Sequence, residues 1–135
     1  MNRVWLVPMF FLSINALAEV AVVVHPSNTA ALNAEEISKI YLGRSKSFPD
    51  GKAAIPLAQA DGTGATATFN EKVLNKTGSQ IKAYWSKLVF TGKGTPPKEL
   101  GTDQEVIELV SQNPSVIGYV DKSAVTASVK VVATF

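Results

Sequence analysis

Asp61-Gly62-Thr63-Gly64-Ala65-Thr66 puts a carboxylate, two hydroxyls and two residues without side chains into one short stretch. The apolar run from Ala53 to Leu57 leads into it, and Phe69, Val73 and Leu74 lead out at helical spacing. A strand, a glycine-bearing turn and a helix start in that order aim free backbone N–H groups at one point, because the first amides of a helix have no intrahelical acceptor. The summed peptide dipoles make the same point attractive to anions. Gly64 would let the backbone come close to a ligand, and Thr63 and Thr66 would donate through their hydroxyls. Asp61 refines the chemistry: a carboxylate repels a dianion but accepts a hydrogen bond from an oxyanion that still carries a proton. A plainer reading of the same residues stays open, in which Asp61 and Thr63 cap the helix and the glycines only make the turn.

Other constellations lead to less. Gly62-Thr63-Gly64-Ala65-Thr66-Ala67 fits G-x-G-x-x-G/A between a strand and a helix, the dinucleotide fingerprint. No apolar strand ending in an acid follows at the distance the ribose contact needs. Gly92-Lys93-Gly94-Thr95 has the flavour of a phosphate loop, but the spacing is wrong and Pro96-Pro97 blocks a following helix start. A solvated loop is the simpler account, with Lys93 free to lean over a neighbouring anion. His25 is the only histidine and there is no cysteine, so histidine-rich and thiolate metal sites and a cysteine nucleophile are excluded. G-x-S-x-G is absent too, and Glu35, Glu36, Glu105 and Glu108 sit on predicted helices as caps and solvated faces. Tyr84 and Trp85 belong to a helical stripe and read as core. The residues supply no case for an enzyme, a cofactor or a metal.

The elements that must position the turn are legible from periodicity. Val20 to Val24 is β-branched on both faces and reads as a central strand covered on two sides, ended by His25-Pro26. Asn33 and Glu36 make a capping box for a helix through Ile37, Ile40 and Tyr41 that Gly43 closes. The second strand is predicted over Ala53 to roughly Ala58, and the helix after the turn ends near Leu74. Ser79 is predicted to cap a helix carrying Ile81, Tyr84, Trp85, Leu88 and Val89 on one stripe. Thr102 and Glu105 suggest another capping box, with Asn113-Pro114 as the stop. Val116 to Val120 and Val129 to Val132 complete the strands. Alternation of strands and helices implies an α/β layer with a mostly parallel sheet flanked by helices.

The chain has 135 residues, and its start reads as a leader rather than as part of the domain. Arg3 precedes an apolar run from Val4 to Ile14, and Ala16-Leu17-Ala18 offers a small-x-small cleavage site. The run is shorter than the roughly 20 residues of a membrane span. We therefore expect a cleaved signal peptide over residues 1–18, and a single domain over residues 19–135 with no stable membrane anchor. Export without cysteine fits a bacterial periplasm. Removing Arg3 from the 13 basic residues leaves them close to balance with the 11 acidic ones, which gives no nucleic-acid footprint.

Three stretches together resemble the phosphate-binding proteins of ABC phosphate transporters, members of the periplasmic binding-protein superfamily. They are Ile40-Tyr41-Leu42-Gly43-Arg44, Ala60-Asp61-Gly62-Thr63-Gly64 and Pro114-Ser115-Val116-Ile117-Gly118-Tyr119-Val120, in the family's order across Ile37 to Asp121. Ala83-Tyr84-Trp85 and Phe90-Thr91-Gly92-Lys93-Gly94 add to the likeness. The resemblance implies a single lobe of a type II periplasmic binding-protein fold. It also implies a non-catalytic site for phosphate or a similar small oxyanion built from Gln59, Asp61, Gly62, Thr63, Gly64, Ala65 and Thr66. The family turn is similar to Arg-x-Asp-Gly-Ser-Gly-Thr, so Gln59 stands in the place of the arginine and Ala65 in that of the final threonine. A neutral amide in place of a charged fork forfeits roughly 1.5–3 kcal/mol of charge-assisted bonding. The implied partners are an ABC transporter permease or a second copy of the chain supplying the missing wall. The rival expectation is a periplasmic protein-interaction module that keeps the fold without high-affinity ligand binding.

Overall fold

The computed structural model describes residues 19–135, and the expected signal peptide over 1–18 lies outside the described residues. The first strand, β1 (Val20–Val24), is buried along its whole length, as an apolar run with no polar face requires. The first helix, α1 (Ala34–Tyr41), starts on the anticipated box: Asn33 accepts from the Glu36 amide, and the Glu36 carboxylate accepts from the Asn33 amide. It stops where Gly43 turns to φ 73°. Next come β2 (Ile55–Gln59) and α2 (Gly64–Phe69), and α2 widens into a π-helical stretch over Asn70–Leu74. Asn75, at φ 53°, ends it in the left-handed region.

The helix α3 (Gly78–Phe90) begins two residues earlier than expected. Thr77 rather than Ser79 is the cap, because Gln80 stands three residues beyond Thr77 and closes a reciprocal box with it. A short strand that periodicity does not reveal, β3 (Lys98–Leu100), precedes α4 (Asp103–Gln112). Thr102 caps α4 by accepting from the Glu105 amide, without a return bond from Glu105 among the described residues. The chain ends with β4 (Val116–Asp121), a 3₁₀ turn over Lys122–Ala124, and β5 (Lys130–Thr134).

The strands form one sheet in the order β3-β2-β4-β1-β5. The α/β class stands, but the sheet is mixed rather than mostly parallel. Strand β2 pairs in parallel with β3 and with β4, whereas β1 pairs antiparallel with β4 and with β5. Burial on both faces does not encode strand direction, so the apolar runs of β1 and β4 are compatible with either sense. Odd and even residues of β1 separate the two layers. Val20, Val22 and Val24 pack with α1, α2 and the π-helical stretch, and Ala21 and Val23 pack with α4. At Gly118 in β4 the helix α4 lies so close that a Cβ would collide with Val106 Cγ1.

This connectivity positions the turn. From the C-terminal end of β2 the chain crosses to β3 over the α2–α3 layer, and from β3 it crosses to β4 through α4 on the opposite layer. Loops leaving neighbouring parallel strands for opposite faces open a crevice at their C-terminal ends, the usual ligand position in open α/β sheets.

Candidate functional site

The turn between β2 and α2 is built from the inside out. Gln59, the last residue of β2, is buried, and its amide nitrogen Nε2 donates to Asp103 Oδ1 at 2.6 Å and to the Tyr119 carbonyl at 2.9 Å. Both of its side-chain hydrogens therefore brace β2 against β4 and the start of α4, and neither is left for a ligand. Asp103 also accepts from the Asp121 amide at 3.2 Å. Thr66 is buried, and its Oγ1 sits 3.1 Å from the Gln59 carbonyl, 3.2 Å from the Ala60 carbonyl and 3.1 Å from Tyr119 Oη. Thr63 donates to Thr66 Oγ1 at 2.8 Å and accepts from the Thr66 amide at 3.2 Å. The hydroxyls of Thr63 and Thr66 are thus spent on the frame, and for Thr63 the capping reading is the observed one.

Asp61 does not cap the helix. Its exposed carboxylate forms an ion pair with Lys82 of α3 at 3.0 Å. Gly62 takes φ 92°, a conformation that L side chains rarely adopt, and a Cβ on Gly64 would meet nothing within 4 Å. Among the described residues, the amides of Gly62, Gly64 and Ala65 have no acceptor within the protein. These three N–H groups are donors that the turn keeps in reserve, and among the described residues the Asp61 amide has no acceptor either. Of the expected site residues, Gly62, Gly64 and Ala65 therefore offer backbone amides, Asp61 a surface carboxylate, and Gln59, Thr63 and Thr66 support.

Beneath the turn lies an aromatic cluster. Phe69 stacks on Tyr119 with centroids 4.0 Å apart, and Tyr41 meets Phe69 edge-on at 4.6 Å. Tyr41 Oη donates to the Leu57 carbonyl at 2.8 Å. Burial pushes the Tyr41 phenol well above its usual value, with the neighbouring Tyr119 adding to it. Burial also raises Tyr119, against the pull of its bonds to Thr66 and the Gln59 amide, and the charges of Glu99 and Asp61 push it further up.

A cleft of about 580 Å³ opens beside the turn, lined by Asp61, Lys82 and Glu99 and by the apolar Ile81, Trp85 and Phe90. Lys82 carries no sequence signal, since one lysine on a solvated helix face looks like any other. Lys46 and Lys93 do not line this cleft; they line another one, which shares Trp85 and Val89 with it. Arg44 lines neither.

No family model matches the chain, and no curated protein does. Solved structures do match it in fold. One, assigned as a phosphate ABC transporter substrate-binding protein with bound phosphate from Clostridium perfringens, superposes with TM-score 0.67 at 21% identity over 85% of this chain and 45% of its own. An ABC-type phosphate transport receptor from Vibrio cholerae gives TM-score 0.66 at 16% identity over 85% of this chain and 46% of its own. PstS from Borrelia burgdorferi gives TM-score 0.61 at 17% identity over 86% and 47%. The chain has the fold of one lobe of these binding proteins. It spans less than half the length of each. Among the described residues, no helix is long and apolar enough to cross a membrane.

Proposed function

We propose that this protein is a non-catalytic, exported binding protein for phosphate or a similar small oxyanion, working in the periplasm as an accessory to ABC-type phosphate uptake. The observation that carries the proposal is the trio of unpaired amides at Gly62, Gly64 and Ala65. They stand at the sheet's crevice in a fold whose solved neighbours include one holding phosphate. The amides donate to the oxyanion. Asp61, beside Lys82, accepts from a ligand that retains a proton, while Gln59 and Thr66 hold the turn in shape. Asp61 and Glu99 outnumber Lys82 around the adjoining cleft, so a monobasic oxyanion is preferred over a dianion. One lobe leaves the site open to water, and the expected affinity for the isolated chain is on the order of millimolar.

The test uses proline at the first helical position. Gly64 is that position, where proline is well tolerated, and Thr63 at φ −77°, ψ 146° already has the extended backbone that a following proline requires. Gly64→Pro removes one donor and keeps the helix. Calorimetry with phosphate at low salt should register binding to the native chain, weakened at least about tenfold in Gly64→Pro, the loss expected for a hydrogen bond to a charged group. Sulfate, which carries no proton near neutrality, should bind more weakly than phosphate at pH about 6. Equal heats from native and Gly64→Pro chains would place any phosphate elsewhere.

A specific observation favours the rival reading, a protein-interaction module. Phe90 is 91% exposed and Val89 54%, and both line the same cleft as Asp61. The two readings meet if the apolar rim receives a second copy of the chain that supplies the wall the turn lacks.

A further inference from the structure

The loops Gly43–Lys46 and Gly92–Thr95 face each other across a cleft of about 540 Å³ that the anion-binding turn does not share. Its apolar lining includes Ile40, Pro56, Trp85 and Val89, and among the described residues its charged lining is Lys46 and Lys93, with no acidic side chain. Neither lysine has an ion-pair partner among the described residues. Two like charges facing one concavity repel each other, and an anion between them relieves that repulsion. The neighbouring cleft across Trp85 has the opposite balance, with Asp61 and Glu99 against Lys82.

The wall between the two clefts is fitted rather than accidental. A Cβ on Gly43 would lie 3.0 Å from Trp85 Cη2, and one on Gly94 would lie 3.3 Å from Trp85 Cζ3. Both loops can approach the indole this closely because glycine stands at each contact; Lys46 lies three residues after Gly43, and Lys93 immediately precedes Gly94. Among the described residues the indole N–H finds no acceptor, and it is not sealed from solvent. The cleft's volume is within the range of small-molecule sites, and its lining divides about evenly between polar and apolar surface.

We infer that this cleft is a second binding site, specific for a small organic anion: one phosphate or carboxylate headgroup, held between Lys46 and Lys93, on a short apolar body lying against Trp85. The headgroup alone lacks the apolar contact, and the apolar body alone lacks the charge. This site is independent of the turn at Gly64.

Trp85 reports on its own occupancy, since the only other tryptophan is Trp5, and Trp5→Phe in the full chain leaves Trp85 alone. The probes are hexyl phosphate, hexanol and inorganic phosphate, each titrated into Trp5→Phe and into the same chain carrying Gly64→Pro. Hexyl phosphate should shift Trp85 emission saturably in both. Its affinity should fall at least about tenfold in Lys46→Ala/Lys93→Ala, survive in Lys46→Arg/Lys93→Arg, and weaken with added salt. Hexanol, and inorganic phosphate on the Gly64→Pro chain, should give no shift at matched concentration. A hexanol response equal to that of hexyl phosphate, an unchanged affinity in the double alanine variant, or no saturable response at all would overturn the proposal. Loss of the response in Gly64→Pro alone would overturn its independence from the turn.

Discussion

Thr66 accepts hydrogen bonds at its hydroxyl from Thr63 and Tyr119 and shares its own hydrogen between the Gln59 and Ala60 carbonyls, which exhausts the group. That side chain is one half of the frame that holds the turn in shape. Tyr119 is the other half of the frame, since its Oη accepts from the Gln59 amide at 3.0 Å and donates onward to Thr66. The Tyr119 and Tyr41 phenols are raised in the fold above the ordinary tyrosine value, chiefly by burial. The folded pKa lies above the unfolded one, so the stability these groups contribute is fully present below about pH 10 and is lost as pH rises through the folded values. Urea midpoints should therefore hold level through neutral pH and decline above about pH 10. The decline should be smaller in Tyr119→Phe, and an equal decline in both chains would remove Tyr119 from the account. The type and spacing of Asp61, Gly62, Thr63 and Gly64 were readable in the sequence. That the hydroxyls would be consumed by the frame was not, because their partners Gln59 and Tyr119 are fixed by tertiary packing.

At the scale of elements, the turn works because a short helix starts against a sheet braced by a longer one. Helix α2 has 6 residues and merges into the π-helical stretch, so its anchorage is Phe69 and Thr66 against β4 rather than its own hydrogen-bond ladder. Helix α4 braces the other face through Val106 and Val110, and Gly118 is the point of closest approach. A methyl group there overpacks the contact, and Gly118→Ala should destabilise the chain by about 1–3 kcal/mol in urea unfolding. Adding Val106→Ala removes the colliding methyl, and the double variant should recover part of that loss; strictly additive effects would contradict the contact. The capping box at Asn33 and the helical period of α3 were legible because they are local, but of the α3 stripe only Trp85 is buried. Strand β3 was not, since Lys98-Glu99-Leu100 has no periodicity and exists only by pairing with β2. Strand sense was hidden for the same reason, and the sheet proved mixed.

For the whole molecule, the decisive fact is that the chain matches solved binding proteins over 85% of itself and less than half of each of them. A single lobe presents its crevice to solvent, and the exposed Phe90 stands beside it. If a second copy closes the crevice, sedimentation should show self-association that strengthens with phosphate, and Phe90→Ser should abolish both the association and the gain in phosphate affinity at high chain concentration. A chain that stays monomeric at all concentrations, with phosphate affinity indifferent to Phe90→Ser, would assign the wall to another partner.

The sequence by itself determined the α/β class, the long central apolar strand and the strand–turn–helix that reserves backbone amides. Each depends on local composition and on periods of two or 3.6 residues. Only the tertiary structure decided what surrounds that turn: Gln59 turned inward to Asp103, Lys82 paired with Asp61, and Lys46 and Lys93 gathered in a separate cleft behind Trp85. These pairings join residues far apart in the chain, and their physical cause is the path of the sheet, which no local pattern records.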